Sequence, residues 1–312
     1  MIEIKQLTKF FGQKIAVDHI SFTVDRGEVL GFLGPNAAGK TTTMRMITGF
    51  IPPTSGTAII GGDDITEASL SARKKIGYLP ENAPVYPDMT VIGFLDFIAE
   101  IRGFSGKEKI QTIEETLERS FLTEVRYQSI DTLSKGFKQR VCLAQSIIHD
   151  PEYLIMDEPT DGLDPNQKHE VRAMIRDMAK EKTIILSTHN LEEVDAICTR
   201  VIIVADGRIV VDDTPARLKF RSPVHGAVCL TVEKREGEDH LSHLRKIPLV
   251  REVEVLDEID SHITVRVYPK DPTAPLADAI IRHFHEKGLH VKSIFVEEGR
   301  LDEVFRKMTT SH

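Results

Sequence analysis

Eight residues near the start of the chain constrain its fold more than any other feature of the sequence. Gly34-Pro35-Asn36-Ala37-Ala38-Gly39-Lys40-Thr41 fits the pattern G-x-x-x-x-G-K-[ST] of a phosphate-binding loop. The apolar run 28–33 before the loop predicts a strand, and residues 42–46 after it favour a helix, which is the context that such a loop requires. The alternative is a glycine-rich turn between a strand and a helix that binds no ligand.

The residue types of this loop indicate its ligand. Backbone N–H groups of such a loop, and of the helix that follows it, point inward and bind phosphate oxygens. Lys40 adds a full positive charge against the β- and γ-phosphates, and the hydroxyl group of Thr41 can ligate Mg²⁺. The loop therefore predicts a nucleoside triphosphate site, without deciding which reaction takes place there.

Two further apolar runs, 153–156 and 183–186, end in side chains that suit the same chemistry. The first leads into Asp157-Glu158, and the second leads into a segment that ends at His189. Because side chains alternate along a strand, Asp157 can hold the Mg²⁺ shell while Glu158 faces the γ-phosphate and polarises a water molecule. His189 follows a strand end, where open α/β sheets bind ligands, and could donate a hydrogen bond to the γ-phosphate. A solvated acidic pair and a structural histidine are the simpler alternatives.

Ser134 is a natural N-cap, and the residues after it favour a helix. Apolar side chains recur at helical spacing, at Phe137, Val141, Ala144 and Ile148. The N-terminus of such a helix carries a partial positive charge and attracts anions. Lys135 lies in the first turn, where a cation is disfavoured unless an anion docks beside it. The alternative is a capped surface helix with no ligand.

Residues 1–220 combine buried-strand patterns with helical patterns, which is typical of an α/β domain. The stretch 91–128 differs, because it contains helical patterns without strands. It predicts a helical insertion in the α/β domain, within a helical subdomain of about residues 88–140.

A second domain is predicted after this one. The segment 219–223 is predicted as a linker, because Pro223 fixes its own φ and disfavours a helical residue before it. We therefore place a boundary between residues 220 and 221. Residues 226–297 show the order β-α-β-β-α-β, and an amphipathic helix follows over 301–308. This order predicts a small α+β domain of the ferredoxin-like type over residues 221–312.

Charge and composition exclude several classes of protein. The formal net charge of −8 argues against a nucleic-acid binder that works by bulk electrostatics. Three scattered cysteines supply neither a disulfide framework nor a metal-ligand set, so we expect a reducing compartment. No run approaches the roughly 18 apolar residues of a membrane span, and the first residues lack the pattern of a signal peptide. If the protein acts at a membrane, another chain must cross it.

In combination, these motifs resemble the ATP-binding subunits of ABC (ATP-binding cassette) transporters over about residues 2–218. The matching segments are the Walker A loop at 34–42, the LSGGQ signature at 133–136, Walker B with its catalytic glutamate at 157–160, the D-loop at 162–165 and the switch histidine, His189. Phe11 occupies the position of the aromatic residue that stacks on adenine in this family. The segment 299–305 resembles the tail of the drug- and lipid-exporter branch.

Three departures from the family pattern stand out. Lys135 and Phe137 replace a glycine and a glutamine of the signature, whereas the serine before them and the glycine between them remain. Glu81 stands in place of the Q-loop glutamine; its carboxylate can still face Mg²⁺ or water, but it adds a negative charge near the triphosphate. Ala37 replaces a common glycine of the phosphate loop.

The resemblance implies ATP and Mg²⁺ as cofactors and gives each matching residue a role. The catalytic residues would be Glu158, His189 and Lys40. The metal ligands would be Thr41, Asp157 and Glu81. The nucleotide would contact Phe11, Gly34, Pro35, Asn36, Ala37, Ala38, Gly39, Lys40, Thr41, Thr42, Glu81, Ser134, Lys135, Gly136 and Asp164.

The resemblance also implies two partners. In an ATP-dependent, head-to-tail homodimer, the phosphate loop of one copy and Ser134 of the other would enclose one ATP. A transmembrane permease subunit would dock in a groove beside Glu81, where the insertion presents Phe94, Leu95 and Phe97, and would hold the chain at the cytoplasmic face of the membrane. The alternative for these three side chains is packing inside the insertion. No nucleic acid is expected as a partner.

Two other classes of function are weaker hypotheses. A soluble ABC ATPase of DNA repair would carry a long coiled coil, yet Thr41 and Ser134 are only 93 positions apart, without sustained heptads. A translation ATPase would carry two such domains in one chain, and this chain has one set of motifs. A GTPase or kinase would leave residues 133–136 without an explanation.

Overall fold

The computed structural model describes residues 1–82, 84–234, 239–259 and 261–309. The chain divides into two compact units, Met1–Pro215 together with Thr309, and Ala216–Met308. Within these described ranges, no helix has the length and apolarity that crossing a bilayer would need.

The first unit contains strands and helices in alternation. Its strands are β1 (Ile2–Phe11), β2 (Lys14–Val24), β3 (Val29–Leu33), β4 (Ser55–Ile60), β5 (Asp63–Asp64), β6 (Ile76–Leu79), β7 (Tyr153–Asp157), β8 (Thr183–Thr188), β9 (Arg200–Ala205) and β10 (Arg208–Asp213). Its helices are α1 (Lys40–Ile47), α2 (Ser69–Lys74), α3 (Val91–Ile101), α4 (Gly106–Arg119), α5 (Lys135–Ile147), α6 (Pro165–Ala179) and α7 (Leu191–Ile197).

Six strands form the central sheet in the order β10-β9-β3-β8-β7-β6. Neighbouring strands are parallel, except that β10 pairs antiparallel with β9. Every residue of β3, β7 and β8 is buried, which explains why these strands are apolar at consecutive positions and confirms the predicted strands. The register pairs Leu33 with Thr188 and Asp157 with Ser187, so the carboxyl ends of the three strands meet at one edge.

A second, antiparallel sheet has the order β2-β1-β4-β5. It shares a hydrophobic core with the central sheet, where the rings of Phe22 and Phe32 lie 5.7 Å apart. Strand β1 ends at Phe11 and β2 begins at Lys14, with Gly12 between them at a φ of 59°. The left-handed conformation costs glycine little free energy, and the turn fixes where the side chains of Phe11 and Lys14 lie.

The predicted helical insertion is present and has a hydrophobic core of its own, built by α3, α4 and α5. Ser134 is the N-cap of α5, as predicted. The expectation that the insertion presents Phe94 and Leu95 at its surface is wrong. These side chains are 1% and 0% exposed, because that side of α3 packs against α4 and α5. Phe97 is 37% exposed.

The second unit contains the elements β11 (Val228–Glu233), α9 (His240–Arg245), β12 (Val250–Ile259), β13 (His262–Pro269), α10 (Leu276–Glu286), β14 (Val291–Val296) and α11 (Leu301–Thr309), after α8 (Pro215–Phe220). Its sheet has the order β12-β13-β11-β14, and all neighbours are antiparallel. This is the ferredoxin-like topology that the sequence predicts. Leu230, Val265, Ile280 and Phe284 are among its core residues.

The boundary between the units lies at 215/216, rather than at 220/221. Lys219 and Phe220, predicted in a linker, belong to helix α8. Leu218 is 1% exposed, and the hydroxyl group of Ser222 donates a hydrogen bond to Glu303 at 2.9 Å. These contacts fix the segment within the second unit, where Pro223 follows the helix instead of preventing it.

Candidate nucleotide-binding site

A cavity of about 460 Å³ lies at the carboxyl edge of the central sheet. The predicted site residues that line it come from the β1 end, the phosphate loop, the segment after β6 and the end of β7. The lining residues are Phe11, Lys14, Ala16, Asn36, Ala37, Gly39, Lys40, Thr41, Thr42, Glu81 and Glu158. The sequence motifs therefore converge, although they are up to 147 positions apart, from Phe11 to Glu158.

The backbone of the phosphate loop needs its small residues. A Cβ atom on Gly39 would lie 2.4 Å from the carbonyl oxygen of Ala16, and its φ is +102°. A Cβ atom on Gly34 would lie 2.6 Å from the carbonyl oxygen of Val204. Ala37 adopts a φ of 65°, a left-handed conformation that glycine would adopt at less cost. This conformation explains why glycine is common at that position of the motif.

Lys40 lies inside the loop and is 7% exposed. Its ammonium group donates hydrogen bonds to the carbonyl oxygens of Gly34, at 2.8 Å, and Pro35, at 3.2 Å. Burial lowers the pKa of Lys40, and the negative charges of Glu158 and the neighbouring carboxylates oppose this shift. The loop thus holds a cation at the position where the β- and γ-phosphates are expected.

The residues around Asp157 fit a hard divalent cation. Asp157 is 0% exposed, and one of its carboxylate oxygens accepts a hydrogen bond from the hydroxyl group of Ser187. Its other oxygen, Oδ2, is buried without a hydrogen-bond partner among the described residues. A buried carboxylate oxygen without a partner is costly, and carboxylate and hydroxyl oxygens are the ligands that Mg²⁺ takes. Thr41 and Glu81, which line the cavity, supply such oxygens.

Glu158 and His189 form a pair at the ends of β7 and β8. Nδ1 of His189 lies 2.9 Å from Oε1 of Glu158. Burial raises the pKa of Glu158, and the hydrogen bond with His189 opposes this shift. A carboxylate with a raised pKa is a stronger base toward water, so the pair suits activation of a water molecule. His189 itself is outside the cavity lining.

The remaining predicted residues lie at a different place. The Ser134 hydroxyl group accepts a hydrogen bond from the backbone N–H of Phe137 at 3.4 Å, and Lys135 forms an ion pair with Asp161 at 2.6 Å. Gly136 packs so closely that a Cβ atom would lie 2.5 Å from Oε1 of Gln167. The structure therefore brings the signature against the D-loop of its own chain, and not into the cavity.

Asp164 has a structural contact that the motif alone did not reveal. Its side chain accepts a hydrogen bond from the backbone N–H of Gln167 at 2.9 Å, and the Gln167 side chain accepts one from the backbone N–H of Asp164 at 3.4 Å. This reciprocal capping box fixes the start of α6.

The two aromatic positions singled out in the sequence have clear surroundings. Phe11 is 53% exposed, with the ammonium group of Lys9 5.3 Å from its ring centre. Phe137, which replaces the signature glutamine, lies 5.6 Å from the guanidinium group of Arg140. The same guanidinium group lies 5.3 Å from the ring of Phe121. Phe137 therefore serves as a cation–π partner, which a glutamine could not be.

The chain is similar to known proteins over both of its parts. The family described as ABC transporter matches residues 17–161. The linearmycin resistance ATP-binding protein LnrL of Bacillus subtilis is 33% identical over 311 residues, which cover 99% of this chain and 98% of that protein. The chain belongs to the ABC transporter ATP-binding proteins.

Two further members of this ABC class extend the comparison. The probable multidrug ABC transporter ATP-binding protein YbhF of Escherichia coli is 40% identical over 71% of this chain, and the chain spans 38% of the length of YbhF. A solved structure described as the ATP binding subunit of an ABC transporter is 28% identical, with a TM-score of 0.65 over 71% of this chain and 92% of its own. The ABC fold predicted for the first unit is thereby confirmed.

Sequence reasoning missed several residues of the site. Lys14 and Ala16 line the cavity because they follow the hairpin turn after Phe11, which pairs with Lys14, and they belong to none of the sequence motifs. Asp161 follows Walker B directly, but its pairing with Lys135 depends on how α5 packs. The sequence signal for this pairing is Lys135 itself, because a cation in the first turn of a helix is disfavoured unless an anion lies beside it.

Proposed function

We propose that this chain is the ATP-binding and ATP-hydrolysing subunit of an ABC exporter, which acts at the cytoplasmic face of the membrane through a separate transmembrane permease. The observation that carries the proposal is the meeting of Lys40, Thr41 and Glu158 around one cavity, beside the partnerless oxygen of Asp157. LnrL, which is similar to this chain over nearly its whole length, is named a linearmycin resistance protein, and this name supports export as the direction of transport.

Each part of the site has one task in this proposal. The loop N–H groups and the Lys40 ammonium group bind the β- and γ-phosphates, while Phe11 stacks on adenine. Thr41, Asp157 and Glu81 would hold Mg²⁺, which when bound neutralises part of the phosphate charge. Glu158 accepts the proton of the attacking water, and His189 orients Glu158 and donates a hydrogen bond to the γ-phosphate.

A homodimer completes the site. The N-terminus of α5 lies away from the cavity of its own chain, and Ser134 and Lys135 are exposed. In a head-to-tail dimer, Ser134, Gly136 and Asp164 of a second copy would close over the γ-phosphate. ATP binding then favours the closed dimer and hydrolysis favours the open one, which is the differential affinity that moves a coupled permease.

The permease is proposed to dock on a groove of about 680 Å³ between α2 and α3. We call it the α2–α3 groove; it is lined by Leu70, Arg73, Lys74, Ile98, Ile101, Arg102, Phe104, Gln145 and His149. Leu70 and Ile101 are 66% and 64% exposed, so they take the contact role expected of Phe94 and Leu95. Among the described residues, no carboxylate lines the groove, which favours a docking helix that carries acidic residues.

Two measurements test the proposal. With MgATP, the Glu158→Gln variant should form a dimer in analytical ultracentrifugation, because it binds ATP without hydrolysing it, whereas Lys40→Ala in the same background should stay monomeric. The wild-type chain should also co-purify with a multi-span protein from solubilised membranes of its host. A monomeric Glu158→Gln variant, or a chain found only in the soluble fraction, would contradict the dimer and the transport role respectively.

A further inference from the structure

The loop that carries Glu158 is held in a strained conformation. Glu158 has a φ of +53°, in the left-handed region that is costly for a residue with a side chain. Such a conformation persists only where surrounding contacts fix it. Its N–H group donates a hydrogen bond to the carbonyl oxygen of Ser187 at 3.1 Å, and its own carbonyl oxygen accepts one from the N–H group of Asp161 at 3.1 Å.

Helix α5 reaches this loop from the other side. The side-chain amide of Gln139 donates a hydrogen bond to the carbonyl oxygen of Glu158 at 3.4 Å. One turn earlier, the ammonium group of Lys135 lies 2.6 Å from Oδ2 of Asp161. Helix α5 is therefore connected to both ends of the segment 158–161.

The side chain of Lys135 passes directly over Gly162, which leaves room for it. A Cβ atom on Gly162 would lie 2.6 Å from Cδ of Lys135, so the stem of Lys135 occupies space that any other residue at position 162 would fill. The Lys135 ammonium group also lowers the pKa of Asp161, which stays ionised. Asp161 in turn supplies the anion that a cation in the first turn of α5 requires.

We propose that Lys135 and Asp161 are positioning residues for catalysis, which hold the backbone of Glu158 so that its carboxylate keeps its place beside His189 in the same chain. The inference rests on the proposed ATPase function. It differs from the role that the family resemblance gives to Lys135, because the lysine here acts on its own chain and not on a nucleotide held by another copy.

The two roles predict different results for Lys135→Met and Asp161→Asn. A positioning role predicts that each variant lowers kcat for MgATP by about twofold to fivefold, the range expected for loss of one exposed ion pair, with KM within about twofold of wild type. The double variant should be no worse than either single one, because both remove the same contact. ATP-driven dimerisation in the Glu158→Gln background should remain as strong as without the second substitution.

Matched controls come from helices α5 and α6. Lys138→Met removes a neighbouring cation of α5, whose ammonium group donates a hydrogen bond to the carbonyl oxygen of Asp131 at 3.0 Å. Asp177→Asn removes an exposed acid that is paired with Lys180. Both should keep wild-type kcat. The charge-exchanged double variant Lys135→Asp, Asp161→Lys should regain part of the lost kcat, since an acid is favourable in the first turn of a helix.

Three outcomes would overturn the inference. Unchanged kcat in Lys135→Met would show that the ion pair does not position Glu158. A loss of ATP-driven dimerisation that accounts for the loss of kcat would assign Lys135 to the second copy's nucleotide. Equal losses in Lys138→Met would show a general effect of charge on α5. Failure of the proposed function would look different: wild type and Glu158→Gln would then hydrolyse ATP at equal rates. None of the results named above for Lys135→Met or Lys138→Met implies that outcome.

Discussion

Nδ1 of His189 lies 2.9 Å from Oε1 of Glu158, so the ends of two neighbouring strands, β7 and β8, meet in one hydrogen bond. Two effects act on the Glu158 carboxyl group and oppose each other. Burial favours the neutral form and raises its pKa, whereas the hydrogen bond with His189 favours the ionised form. Burial is the larger effect, so the pKa of Glu158 lies above that of an ordinary glutamate.

The first prediction concerns the pH dependence of hydrolysis. Glu158 must be ionised to accept a proton, so kcat should fall on the acid side at a higher pH than an ordinary glutamate would cause. His189→Ala removes a hydrogen bond that lowers the pKa of Glu158, and the acid limb should move to still higher pH. Turnover of MgATP measured between about pH 5 and pH 8 checks both statements. His169→Ala, an exposed change on α6, is the control and should leave the acid limb in place.

The second prediction concerns Lys40. Lys40→Ala removes the buried cation that the loop carbonyls of Gly34 and Pro35 hold in place. ATP affinity and hydrolysis should each fall by about 100-fold or more, the cost of losing a preorganised charge contact. Binding of a fluorescent ATP analogue and steady-state turnover measure the two effects. Lys138→Met should retain both, and a Lys40→Ala variant that retained both would remove the basis of the nucleotide site.

The third prediction separates a steric clash from backbone strain in two glycines. Gly39→Ala places a Cβ atom 2.4 Å from a backbone oxygen at a φ of +102°, whereas Gly62→Ala has a φ of +86° with nothing within 4 Å. The strain alone should cost about 1 kcal/mol of unfolding free energy in Gly62→Ala. Gly39→Ala should cost more and should also lower ATP affinity, because the loop must shift. Urea unfolding of both variants tests this, and equal losses would contradict the clash.

Part of this molecule is predictable from local sequence. The phosphate loop, its flanking strand and helix, and the helix capped by Ser134 follow from residue types at short spacing, because backbone geometry and capping are local. The convergence of Asp157 and His189 follows from the rule that parallel strands present their carboxyl ends at one edge.

Other features depend on packing, which no local pattern contains. Phe94 and Phe97 lie three residues apart on α3, yet one is buried and the other exposed, and only the positions of α4 and α5 decide which. The linker predicted over 219–223 is wrong for a similar reason: Pro223 disfavours a helix only at the residue before it, whereas α8 ends at Phe220 and its side chain Leu218 is buried. The partners of Lys135 and of Asp157 likewise become visible only when distant segments meet.

The last prediction concerns the α2–α3 groove. Arg73, Lys74 and Arg102 have no ion pair with any described residue, so their charges are available to a partner. Replacing Arg73 and Lys74 together by Glu should abolish co-purification with the permease, because like charges then oppose an acidic docking helix. Basal hydrolysis should stay within about twofold of wild type, because the groove contributes no lining residue to the nucleotide cavity.

The control for the groove reverses the same charge elsewhere. Lys107→Glu and Lys168→Glu change exposed or half-exposed cations of α4 and α6 and should leave co-purification intact. Leu70→Ala tests the apolar part of the groove, since truncation of a side chain that is 66% exposed should weaken docking without affecting folding. A permease that binds the Arg73, Lys74 double variant as tightly as wild type would show that the docking helix is not acidic, because an attraction between opposite charges cannot survive reversal of one partner.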